Sequence, residues 1–179
     1  MRIAVFVAGL LLALMSASAR AEVETASPSA FVVRGERVTA ASPDQVWRAV
    51  GRIGHWWSGA HTYSGDASRL SVAMRAGACF CERWEGQSVE HARVVMVIEQ
   101  QGARSVRMVG ALGPLQSMSA NGVLTITVAP DAAGTKLSMS YRVAGDASLG
   151  FDTLAPVVDG VLMTQLDRLA RYAATGAAQ

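Results

Sequence analysis

ASPDQVWRAV, residues 41 to 50, opens a helix and sets how the chain around it is read. Ser42 can cap, Pro43 suits the first helical position, and Gln45 three residues after the cap completes a capping box. Val46, Trp47 and Val50 then form an apolar stripe at helical spacing. Gly51 and Gly54 interrupt it, so the helix is short and is followed by a second turn carrying Trp56 and Trp57.

Before this helix, Phe31 to Thr39 reads as a strand. After it the chain turns β: Leu70 to Met74, Cys79 to Trp84, Val89 to Ile98, Ser105 to Val109, Val123 to Val128 and Thr135 to Val143, separated by turn signals such as Glu85-Gly86. Leu137, Met139, Tyr141 and Val143 alternate with Lys136, Ser138, Ser140 and Arg142, the mark of an antiparallel strand with one wet face. The chain closes with a long helix, about Phe151 to Ala174. Its periodicity gathers Leu154, Val158, Val161, Leu162, Leu169 and Tyr172 on one face and leaves Met163 elsewhere. Gln165 falls near the middle of the apolar face. A sheet of about seven strands with one apolar face, and a terminal helix with another, predict an α+β fold in which a curved sheet grips that helix.

The first residues have a separate purpose. Arg2, the apolar run Ile3 to Met15, and Ala19 and Ala21 in small-x-small spacing predict a secretory signal peptide over 1–21, cleaved after Ala21. The apolar run is shorter than a membrane span, and the expected location is periplasmic or secreted with no stable anchor. Residues 22–30 (EVETASPSA) are small and polar and read as a disordered lead-in. One domain, 31–175, follows. The formal net charge of +2 includes Arg2 and Arg20, so the exported part is neutral and offers no basic face for nucleic acid. Lys136 is the only lysine, which leaves Schiff-base chemistry a single residue.

ASPDQVWRAV, the following HWW (55–57) and APVVDGVLMTQLDRLARY (155–172) resemble the START-like, or SRPBCC, superfamily, whose fold is the helix grip. The resemblance implies a deep apolar cavity between sheet and helix that holds a hydrophobic small molecule such as a lipid, sterol or polyketide. The superfamily has no universal catalytic motif, so the resemblance assigns no catalytic residue. No cofactor is expected.

Candidate site residues follow from type and position. Trp56 and Trp57 cannot easily both face inward, so at least one is expected at the cavity mouth. His61 and Tyr63 lie in a turn-rich segment that a mouth loop would present to a ligand. Met74, Met96 and Met108 are adaptable side chains suited to a cavity wall. Leu112 belongs to an apolar loop, 111–119, that either packs inward or forms a lip. Tyr141, Leu154 and Val158 come from the inward faces of the last strand and helix, and Gln165 is read either as a polar anchor in the cavity or as a partner for backbone.

Cys79 and Cys81 are the only cysteines. Their spacing on a regular strand, about 6.5–7 Å between Cα atoms, exceeds comfortable disulfide geometry. Three readings stand: reduced thiols, with Cys81 lining the pocket; a disulfide made possible by a local kink; and a metal site with His91 and His61. The hairpin loop decides the register, since three residues set Cys81 opposite His91 and two set it opposite Glu90. Glu90 and His91, as strand neighbours, do not share a face and cannot act as an acid/base pair. Hydrolase and nucleotide-loop motifs are missing. Binding of a hydrophobic ligand is therefore the leading expectation. A cyclase- or hydratase-type enzyme using His61, His91, Tyr63 or Tyr141 is the alternative, and it requires two of these to converge.

Overall fold

The computed structural model describes residues 22–179, and the expected signal peptide lies outside them. Eight strands form a single antiparallel sheet in the order β1-β2-β8-β7-β6-β5-β4-β3. They are β1 Glu22–Ser27, β2 Ala30–Thr39, β3 Leu70–Ser71, β4 Cys79–Trp84, β5 Gln87–Gln100, β6 Ala103–Val109, β7 Asn121–Asp131 and β8 Gly134–Ala144. Helices α1 Pro43–Gly51 and α2 Ile53–Trp56 follow β2, and α3 Phe151–Thr175 ends the fold. The architecture is the α+β helix grip.

The capping box forms as read: Gln45 N–H donates to Ser42 Oγ at 3.3 Å and Ser42 N–H to Gln45 Oε1 at 2.8 Å. The lead-in is corrected. Residues 22–27 are not disordered but form β1, which pairs antiparallel with β2 and places Val23 against the core. Polar composition hid the strand, because an edge strand needs only one inward apolar side chain and a partner for its backbone. This accounts for eight strands against the seven expected. The strand read at Leu70 to Met74 shortens to β3, Leu70–Ser71.

The helix α3 lies on β2, β1 and β8. Gly35 of β2 lets it come close, since a side chain there would strike the Met163 thioether. Met163 is accordingly buried, contrary to the periodicity reading, because the helix meets more than one inner wall of the curved sheet. Opposite, the β4–β6 side stands away from α3. The first half of the helix, around Leu154 to Leu162, therefore borders space on that side.

Candidate ligand cavity

That space is a cavity of about 490 Å³. Leu154, Val157, Val158, Val161 and Leu162 of α3 form one wall. Phe80 of β4, His91 of β5 and Tyr141 of β8 form the sheet side. The turn after α2 contributes Trp57, His61, Thr62 and Tyr63, and the β6–β7 connection contributes Leu112, Leu115 and Met118. The lining contains no Asp, Glu, Lys or Arg. Tyr63 and Val157 are exposed at the rim.

Of the residues expected at a ligand site, Trp57, His61, Tyr63 and His91 border this cavity, as do Leu112, Tyr141, Leu154 and Val158. Six do not. Trp56 and Trp57 both face inward, contrary to expectation: Trp56 is fully buried, its indole N–H donating to Ala49 C=O at 2.8 Å, and Trp57, also buried, is the one of the pair that borders the cavity. Met74 packs beside Gly51. Met96 pairs with the exposed Arg107 on the outer face of the sheet. Met108 is enclosed in the core.

Gln165 is buried away from the cavity and is fully used. Its Oε1 accepts the Ser58 N–H at 2.8 Å, and its Nε2 donates to His61 Nδ1 at 2.9 Å and to Val161 C=O at 3.2 Å. The backbone-partner reading is the one the structure bears out, and the polar-anchor reading falls.

Cys81 is the remaining correction. Cys79 and Cys81 are joined as a disulfide, with Cα atoms 5.3 Å apart. The chain shortens the normal strand spacing where the β4–β5 ladder breaks register between Phe80 and Cys81. The two-residue turn Glu85-Gly86, both at positive φ, sets Cys81 opposite Glu90. The sulfurs thus lie on the face bearing Glu90, opposite that of Phe80 and Glu82. The closest ligand-type cluster among the described residues is Cys79, Cys81 and Glu90. Sulfurs already bonded to each other are not the thiolates a metal needs. His61 and His91, engaged with Gln165 and Glu82, do not join them.

The register break makes His91 the extra residue of a β-bulge, with Phe80 opposite Ala92 and Cys81 opposite Glu90. His91 turns inward beside the Phe80 ring, with centroids 4.9 Å apart. Its Nε2 lies 3.0 Å from Glu82 Oε2. Glu82 is completely buried and also accepts the N–H groups of Tyr63 at 3.0 Å and Ser64 at 2.6 Å. Burial alone would raise the Glu82 carboxyl above its ordinary value, but these hydrogen bonds outweigh it and hold the group low and ionised. Burial lowers the His91 pKa against the opposing pull of Glu82, so the ring is held neutral. Sequence reasoning passed over Glu82. The available signal was an acidic residue two positions from Phe80 on an inward strand face.

The two phenols are tied to backbone. Tyr141 Oη donates to Gly110 C=O at 2.9 Å and accepts the Leu112 N–H at 2.8 Å, and burial pushes its pKa up to about 12. Tyr63 Oη donates to Gly113 C=O at 3.1 Å, linking the two loops that border the mouth.

A sheet gripping a terminal helix beside a one-sided apolar cavity defines an α+β protein of the helix-grip class. A family model described as polyketide cyclase / dehydrase and lipid transport matches residues 30–174, and the chain belongs to this family, which is of the SRPBCC type. Solved structures share the fold. A protein of Mesorhizobium loti is 18% identical, with a TM-score of 0.50 over 77% of this chain and 95% of its own. A hypothetical protein of Helicobacter pylori is 13% identical, with a TM-score of 0.55 over 79% and 87%. A protein in the dynemicin biosynthetic locus is 21% identical, with a TM-score of 0.54 over 82% of this chain and 48% of its own. No curated protein matches the sequence significantly.

Proposed function

We propose that the protein binds a hydrophobic small molecule in the cavity between α3 and the sheet, against Phe80, His91 and Tyr141, and does so outside the cytoplasm. The observation that carries this reading is the cavity itself: about 490 Å³, walled by aliphatic and aromatic side chains and free of formal charge. Such a space gains by exchanging water for apolar ligand surface. The family description, which includes lipid transport, agrees. Export rests on the signal-type N-terminus and is supported by the disulfide, since such bonds persist in oxidising compartments.

The enzymatic alternative has less support. It requires two acid/base groups acting on one point, yet the hydroxyls of Tyr63 and Tyr141 are both committed to backbone carbonyls and His61 is held by Gln165. One histidine with a carboxylate behind it suits recognition better than a two-group proton relay.

The test is incubation of the purified protein with a total lipid extract, repurification and mass spectrometry, with displacement of a fluorescent apolar probe alongside. Co-purifying apolar molecules that compete with the probe are expected. Absence of both would remove the proposal.

A further inference from the structure

The walls of the cavity contain few polar atoms, and nearly all are already matched. Trp57 Nε1 donates to His61 C=O at 3.0 Å, and Thr62 Oγ1 donates to Gly59 C=O at 2.8 Å. The Tyr63 and Tyr141 hydroxyls are bound to Gly113 and Gly110. His61 is exposed at the mouth and takes the Gln165 amide on Nδ1.

His91 differs. Its side chain is 6% exposed, and its single hydrogen bond runs from Nε2 to Glu82. An ionised carboxylate only accepts, so Nε2 carries the proton and Nδ1 of the neutral ring presents a bare lone pair. Nδ1 has no partner among the described residues. The one side-chain nitrogen or oxygen among those residues that is both sealed and unpartnered is Asp159 Oδ1. His91 Nδ1 is therefore not sealed, and the accessible space His91 borders is the cavity.

Resting on the cavity-binding reading, we propose that the ligand is a neutral, largely hydrocarbon molecule carrying one hydrogen-bond donor, an alcohol or phenol hydroxyl, which His91 Nδ1 accepts while Glu82 holds the ring in the required tautomer. Two features of the site select this chemistry. An anionic headgroup finds no cation in the lining and would meet the buried Glu82 carboxylate behind His91. A pure hydrocarbon leaves the lone pair of His91 without a partner in a dry wall. The rings of Phe80 and Tyr63, with centroids 4.9 and 5.8 Å from that of His91, add apolar surface beside the imidazole against which a ligand ring or chain can pack.

Three para-octyl benzenes that differ only in headgroup test this: the phenol, its methyl ether and the benzoate. Binding to the purified full chain is read by calorimetry and by quenching of tryptophan fluorescence. The phenol is expected to bind about tenfold tighter than the methyl ether, the value of one well-placed hydrogen bond, with the benzoate weaker than the phenol. His91→Phe is expected to equalise phenol and ether. Glu82→Gln, whose amide can donate to Nε2 and move the ring proton to Nδ1, is expected to remove the phenol's advantage, since both phenol and ether oxygens can then accept. Equal binding of phenol and ether to the unaltered protein, or tightest binding of the benzoate, overturns this proposal while leaving the cavity reading intact. Binding of none of the three overturns both. The comparison on the unaltered protein decides the question even if a variant does not fold.

Discussion

Gln165 of α3 takes the Ser58 N–H at 2.8 Å, so one buried amide fastens the long helix to the turn that carries the cavity-lining Trp57. The same amide fixes His61 at 2.9 Å, while Arg168 one turn on donates to Trp56 C=O at 2.7 Å. Gln165→Met keeps the shape and leaves the Ser58 N–H without its acceptor. A loss of about 1–3 kcal/mol in urea unfolding is expected. Faster amide hydrogen exchange at residues 58–63 is expected with it.

Acid should destabilise the protein in two stages. His91 has a folded pKa below its ordinary value of 6.5, chiefly through burial, and Glu82 has one below 4.5 because its hydrogen bonds outweigh burial. Both groups are depressed, so the stability linked to each is present above its unfolded value and is lost as pH falls through the folded one. Urea midpoints should be level between about pH 7 and 9, decline below 6.5 and decline further below 4.5. His91→Phe should remove the first decline. A midpoint rising between pH 7 and 5 would contradict the buried neutral ring.

The disulfide closes a very short loop, so its stabilising effect should be small. The chain-entropy model gives about 1–2 kcal/mol for such a loop. The double change Cys79→Ser with Cys81→Ser should lower stability by that amount and leave the fold intact. Thiol titration of the unreduced denatured protein should find no free cysteine, and after reduction both.

Filling the cavity should abolish binding without unfolding the protein. Val158 lies on its α3 wall and is only half-buried, so a larger side chain can extend into space without displacing core. Val158→Trp should weaken apolar-probe binding by at least tenfold, about 1.4 kcal/mol. Its circular dichroism should match the unaltered protein, since the added ring meets a void and not packed neighbours.

Much of the fold was legible because it depends on short-range signals. The capping box at Ser42 and Gln45, the alternation through Leu137, Met139, Tyr141 and Val143, and the turn signal at Glu85-Gly86 each act within a few residues, although the residues alone leave the length of that turn, and with it the register, open. Half of the cavity wall was legible for a similar reason. Leu154 and Val158 share a helix face whatever that face meets, though only the fold shows that it meets empty space.

Other features were set by partners distant in sequence. β1 is a strand because β2 offers an edge, and nothing in EVETAS demands it. Met163 is buried because Gly35 admits the helix, and Met96 lies outside because the β5–β6 ladder shifts register between Val94 and Met96. Gln165 found its acceptor role 107 residues away at Ser58.

The sequence by itself determined an α+β helix grip with a one-sided apolar interior, because periodicity, caps and turns are local properties of the chain. Only the tertiary structure decided what the interior can recognise. A bulge at His91 breaks the period of two, falls where Cys79 and Cys81 come within bonding reach, and brings His91 to Glu82 in the cavity wall. Strand register is a relation between two segments, and a single bulge changes which side chains face inward beyond it.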